Sequence, residues 1–343
     1  MRTGFVETVR GRVQAADLGR TLVHEHLLID LSCYWDPDTA PDLAGASLTP
    51  DLMADLRSAP FASFENLSLR RLDRAAAGLR RFQAAGGGAV VEVTSVGIGR
   101  QPLALRWLSE ETGVHLVAGC GYYIATSHPP GLADRSVESL TSEIVGELTE
   151  GIADTGVRAG VIGEIGVGSW PPHPVEHTVL RASAAAQQLT GRAVIIHSPP
   201  DPATIEAYAL ELLRLGFDPA RTVLSHLDVR LRADIDRFAG LAEQGFMLGL
   251  DTFGRDAFYP QWGRQQPADD VRVDAVVGLL ERGLADHVFL AQDICFSHEL
   301  TEHGGVGYHH VLARIVPRLL ARGVTQEQCD QLLIDNLARL LAD

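Results

Sequence analysis

The run Thr21-Leu22-Val23-His24-Glu25-His26-Leu27 decides the reading of this chain. It is short and apolar, as a buried strand is, and it ends in two histidines two positions apart. Side chains at i and i+2 of a strand leave on the same face, so both imidazoles project to one side of the sheet that holds them. Seven more apolar runs of similar length follow, at residues 89–94, 115–120, 160–166, 193–197, 222–226, 246–251 and 287–293. Four to seven residues is the length of a strand buried on both faces in a parallel sheet. Helix-period patterns lie between them at 67–84, closed by the Gly86-Gly87-Gly88 stop, and at 137–152, 175–190, 202–215 and 271–283. Strand then helix, eight times, predicts an α/β fold: a (β/α)8 TIM barrel, one domain over residues 1–343.

That fold typically needs about 250 residues, so the chain has room for insertions at the barrel mouth. Residues 34–64, rich in Pro, Asp and Ala, and residues 253–270, with Trp262 and little periodicity, are the two expected places. Residues 325–341 read as one or two closing helices.

Composition narrows the chemistry. The 343 residues carry 44 acidic side chains against 29 basic ones, a net charge of -15, which argues against a nucleic-acid or anionic-membrane binder. All 29 basic residues are arginine. Without lysine there is no Schiff-base lysine, no Walker-loop lysine and no carbamylated lysine to bridge metals. Cys33, Cys120, Cys295 and Cys329 form no CxxC pair and read as free thiols in a reducing compartment. The N-terminal stretch has charges where a signal peptide needs an apolar core, and no later run is long enough to span a bilayer, so a cytoplasmic location is expected.

Polar residues sit at the ends of the predicted strands. The first ends in His24 and His26, the fourth carries Glu164, the fifth ends at His197, the sixth at His226 and the eighth at Asp293. In a parallel barrel these ends converge on one mouth. A lone histidine ending an apolar strand is more often a satisfied core residue, and a lone glutamate there is more often paired with an arginine. Six ligand-type side chains on five separate strands are a different matter. Four imidazoles and two carboxylates suit two divalent cations, zinc first, with manganese, cobalt or iron also compatible.

In that order these residues resemble the amidohydrolase superfamily, and more closely the phosphotriesterase family with its phosphotriesterase-related members. Further similar stretches are Gly86-Gly-Gly-Ala-Val-Val-Glu92, Gly160-Val-Ile-Gly-Glu-Ile-Gly166, Ser225-His-Leu-Asp228, Gly304-Gly-Val-Gly-Tyr-His-His310 and Leu333-Ile-Asp-Asn336. The resemblance implies that His24, His26 and Asp293 hold a buried metal and that His197 and His226 hold an exposed one. Glu164 falls where true phosphotriesterases place a carbamylated lysine, whereas the related members use glutamate. That departure favours carbonyl substrates over phosphotriesters. The implied activity is a binuclear metal-dependent hydrolase in which a metal-bridging hydroxide attacks and Asp293 handles the proton. The first expected substrate is an N-acyl amide of the N-acyl amino acid or N-acyltaurine type. Lactonase or phosphotriesterase/aryl esterase activity is the alternative within the class, and a non-catalytic metal-binding barrel the alternative outside it.

Loop residues expected to contact substrate are Tyr123, His128, Trp170, Arg230, Arg255 and Tyr308, the arginines because a guanidinium binds carboxylate or sulfonate in a bidentate way. Asp228 and Asp251 are expected to orient the ligating histidines, and Cys295 to be an inert buried thiol. A small molecule is the expected partner, with no nucleic acid and no membrane. A homodimer is compatible with the barrel, although no sequence feature demonstrates one.

Overall fold

The computed structural model describes residues 4–343; Met1, Arg2 and Thr3, at the head of the charged N-terminal stretch, lie outside them. Eight parallel strands follow in chain order: β1 (Arg20–Glu25), β2 (Gly87–Glu92), β3 (His115–Cys120), β4 (Val161–Gly166), β5 (Val194–His197), β6 (Thr222–Ser225), β7 (Met247–Leu250) and β8 (Val288–Leu290). Each pairs with its sequence neighbour, from β1 on β2 to β7 on β8. This is the TIM barrel expected, with every run quoted above in place.

The seam between β8 and β1 is closed beyond the ladder. The backbone N–H of Asp293 donates to the carbonyl of His24 at 3.2 Å. Glu25, between the two histidines and facing away from them, accepts the N–H groups of Gln292 at 2.7 Å and Ile294 at 2.9 Å. The same stretch therefore supplies two imidazoles to the interior and the carboxylate that ties the last strand to the first.

Strands such as Val194–His197 are buried through Val, Ile and Ile because helices cover the outside and side chains fill the inside. The helices Leu72–Ala84, Val137–Thr149, Pro174–Thr190, Ile205–Leu215 and Asp269–Glu281 lie where the apolar spacing put them. Two more, Pro102–Thr112 and Ile235–Glu243, occupy connections where the sequence pattern predicts no helix. In the first, exposed Leu103 and Trp107 blur the apolar stripe; the second is only nine residues long. The helix Pro174–Thr190 starts in a capping box in which Glu176 reaches back to the N–H of His173, and the other oxygen of Glu176 holds Ala125 and Gly168.

A hairpin, Phe5–Thr8 with Gly11–Gln14, closes the end of the barrel opposite the mouth, where Val9 donates to Leu116 at 2.8 Å. The segment at 34–64 folds into short turns and the helix Met53–Ser58 around a small core of Leu43, Met53, Leu56, Ala59 and Ala62. The second insertion is a two-stranded pair, Phe258–Tyr259 with Arg264–Gln265. The tail is helical from Gln326 to Leu341. Among the described residues, no helix is long and apolar enough to cross a membrane.

Candidate metal centre and substrate cavity

The strand ends bring the six ligand-type side chains into one cup. Glu164, from β4, lies at its centre: its Oε1 is 3.0 Å from His197 Nδ1, 3.2 Å from His226 Nε2 and 3.3 Å from His24 Nε2. Asp293 Oδ1 is 3.3 Å from His26 Nε2 and 3.6 Å from His24 Nε2. Two sets have ligand atoms within 4.8 Å of one another, His24 with His26 and Asp293, and His24 with Glu164 and His226. His197 completes the open side, its Nδ1 lying 3.0 Å from His226 Nε2.

The far nitrogens of these rings are fixed by neutral and acidic partners. One carboxylate, Asp251 at the end of β7, serves two imidazoles: Oδ2 takes His24 Nδ1 at 3.1 Å and Oδ1 takes His226 Nδ1 at 3.0 Å. Ser225 Oγ lies 3.1 Å from the same His24 nitrogen, and Thr94 Oγ1 meets His26 Nδ1 at 2.9 Å while donating to Glu92. Such outer partners leave the other ring nitrogen of His24, His26 and His226 aimed inward with a lone pair. Asp228, expected in the same role, instead holds Arg272 at 2.7 Å and Thr252 Oγ1 at 2.5 Å. It braces the loop after β7.

Two of these six side chains reach the cup through unusual backbone. His226 has φ 62° and Asp293 φ 51°, left-handed values uncommon outside glycine. Side chains held in that region are concentrated at functional sites, where surrounding structure over-determines them.

Electrostatics point the same way. Burial opposes charge on His24 and His226, but Glu164, Asp251 and Asp293 outweigh it, lifting them to about 9 and about 10. Burial also pushes Glu164 up, yet the facing His24 and His197 hold it well below the usual carboxylate range. Asp293 is lowered too, with Arg255 and the imidazoles overcoming burial. Carboxylates in this cup call for cations, and without a metal only protons can answer. His24 Nε2 shows the need most plainly: it is buried, faces both carboxylates and makes no hydrogen bond among the described residues. An orphaned imidazole nitrogen among N and O donors fits a borderline divalent cation.

Above the cup lies a cavity lined by both polar and aromatic side chains. Tyr123, Arg230 and Arg255 line it, as do Trp262 and Cys295. Tyr123 OH is 3.2 Å from His197 Nδ1 and 3.0 Å from Tyr34 OH. Arg255 donates to Asp293 Oδ2 at 2.7 Å, to Glu299 at 2.5 Å and to the carbonyl of Asp293. Burial and Asp293 leave the Cys295 thiol well above its ordinary value, and Arg255 Nη2 lies 3.1 Å from its sulfur.

Three expected contacts do not line this cavity. The ring of His128 turns back to the Tyr123 carbonyl at 2.8 Å, and Trp170 packs edge-on against Tyr208. Tyr308 is buried with its OH donating to the carbonyl of His26 at 2.7 Å, which supports β1 from behind. Other lining residues escaped the sequence reading: Tyr34 and Phe61 from the first insertion, Tyr259 and Gln266 from the second. One missed partner had left a signal, since Glu92-Val93-Thr94 repeats at the end of β2 the i, i+2 pattern of His24 and His26.

Comparison with known proteins finds relatives that cover nearly the whole chain. The phosphotriesterase family matches residues 4–341. N-acetyltaurine hydrolase of Danio rerio is 41% identical over 345 residues, covering 98% of each chain. A resiniferatoxin-binding protein from Rhodobacter sphaeroides superposes with a TM-score of 0.95 at 38% identity, over 99% of this chain and 95% of that one. A mutant phosphotriesterase-like lactonase from Deinococcus radiodurans gives a TM-score of 0.75 at 27% identity, over 98% and 100%. The chain belongs to the phosphotriesterase family.

Proposed function

We propose that this protein is a binuclear metal-dependent hydrolase of N-acyl amides, of the N-acyl amino acid or N-acyltaurine type. The observation that carries the reading is Glu164 Oε1 set among three inward imidazole nitrogens, one of them, on His24, without any hydrogen bond. The likeness to N-acetyltaurine hydrolase over nearly the whole chain supports the choice of amide.

His24, His26 and Asp293 would hold one cation and His197 and His226 the other, with Glu164 between them. When bound, such a pair supplies an acidified water as nucleophile and an electrophile for the scissile carbonyl oxygen. Asp293 receives the proton of the attacking water on its carboxylate and delivers it to the departing amine, while Arg255 steadies its Oδ2 at 2.7 Å. Tyr123 OH, beside His197, is placed to donate to the substrate oxygen. Asp251 and Thr94 keep the imidazoles in the tautomer that presents a lone pair inward.

A second reading, lactone hydrolysis, is favoured by the likeness to the Deinococcus lactonase and by the apolar side of the cavity, where Phe61, Tyr259 and Trp262 pack ring against ring. Zinc-loaded protein assayed on a panel separates the two. Amine release from N-acetyltaurine and N-acyl amino acids is expected to exceed lactone opening. Rapid lactone opening with no deacylation would reverse the order.

A further inference from the structure

Arg255 and Arg230 both stand on the cavity wall, and their surroundings differ. Arg255 is satisfied by Glu299 and Asp293. Arg230 is only 8% exposed, yet among the described residues it pairs with no carboxylate. Its Nε donates to the carbonyl of Pro199 at 2.9 Å and its Nη2 to that of Ser198 at 3.3 Å, which leaves Nη1 without a partner among the described residues. Asp228, whose charge reaches it, is held by Arg272 at 2.7 Å, and Arg264 nearby adds a like charge. A buried guanidinium keeps its charge, and no carboxylate among the described residues pairs with it, which leaves room for an anion from outside. A second group on the same wall is also unfinished. Gln266, again 8% exposed, has a buried Oε1 with no hydrogen-bond partner among the described residues. Rotation of its amide presents an NH2 donor instead.

We propose that Arg230 and Gln266 form an anion subsite that takes the sulfonate or carboxylate of the N-acyl substrate, so that charged N-acyl compounds are selected over neutral amides and lactones. This rests on the hydrolase reading above. Polarity across the cavity then orients the substrate: its scissile amide over Glu164 and Asp293, its acid group at the fork of Arg230. Planar donors of a guanidinium match two oxygens of either acid, which an ammonium does not.

The test compares kcat/KM on N-acetyltaurine, N-acetyl-β-alanine and neutral N-acetylpropylamine for the metal-loaded wild type, Arg230→Met, Arg230→Lys and Gln266→Leu. Binding of N-acetyltaurine is followed separately through Trp262 fluorescence. In Arg230→Met the charged-to-neutral ratio should fall about 30- to 100-fold, chiefly through KM, as loss of a charged hydrogen-bond pair does. Arg230→Lys should lose about 5- to 10-fold and Gln266→Leu about 5-fold, as partial losses of such bonds. The acid whose ratio falls further is the headgroup the subsite fits. A ratio unchanged in Arg230→Met and in Gln266→Leu, or a wild type without preference for charge, overturns the subsite while leaving the hydrolase intact. Arg230-dependent binding of N-acetyltaurine without cleavage does the reverse.

Discussion

The floor of the cavity and its wall have opposite deficits. On the floor, Glu164, Asp293 and Asp251 crowd the imidazoles and pull His24 and His226 up to about 9 and about 10 in spite of burial. On the wall, Arg230 carries a charge that no acid of the described chain meets. Elsewhere buried charge is closed on itself: Arg272 and Asp228 are both fully buried and 2.7 Å apart. That pair braces a loop and asks for nothing more. Floor and wall are unfinished in different senses, and each deficit names a ligand, cations below and an anion above.

Substitutions on either side should break the contrast in different ways. The largest effect is expected for Asp293→Asn, which removes the proton acceptor: the rate of amine release should fall about 1,000-fold or more with the far-ultraviolet spectrum unchanged. A fall of less than tenfold would take Asp293 out of the proton's path. Next come the two arginines. Arg255→Met leaves Asp293 and Glu299 facing a gap and should cost about 3–5 kcal/mol in urea unfolding. Arg230→Met strands no acid, only the carbonyls of Pro199 and Ser198, and should cost less, about 1–2 kcal/mol. Equal losses in the two variants would erase the distinction between a satisfied and an unsatisfied arginine.

The smallest effect is one of pH. Cations must displace the protons of His24 and His226, so apparent zinc affinity should climb between about pH 6.5 and 10. Metal-free stability should run the other way. The two imidazoles have folded values above the unfolded value of 6.5, so their contribution is complete below that pH and fades as pH rises through about 9 and about 10. Denaturation with and without chelator across this range measures both slopes. Zinc affinity that is flat with pH would mean that these nitrogens are not ligands.

Legibility in the sequence followed the same division. The floor was readable because each of its candidate ligands lies at or near the end of an apolar run, and in a parallel barrel the end of a strand has only one destination. His24 and His26 even declared their shared face by spacing. The wall was not readable, because loop residues take their direction from packing that leaves no period. His128 and Trp170 looked like mouth residues but turn to a carbonyl and to Tyr208. Gln266 directly follows a short two-stranded pair that no alternation announced, and Phe61 arrives from a segment built on its own small core. The left-handed backbone of His226 and Asp293 was equally hidden, since neither is glycine. Asp228 and Asp251, alike as strand followers, divide according to which neighbour each meets, Arg272 or two imidazoles.

Elemental analysis of protein purified without chelator, beside Glu164→Gln, tests the central claim most directly. The account predicts about two equivalents of divalent metal in the wild type, and in the variant a loss of metal together with activity. One equivalent or none in metal-replete wild type, or full occupancy and full rate in Glu164→Gln, would contradict it.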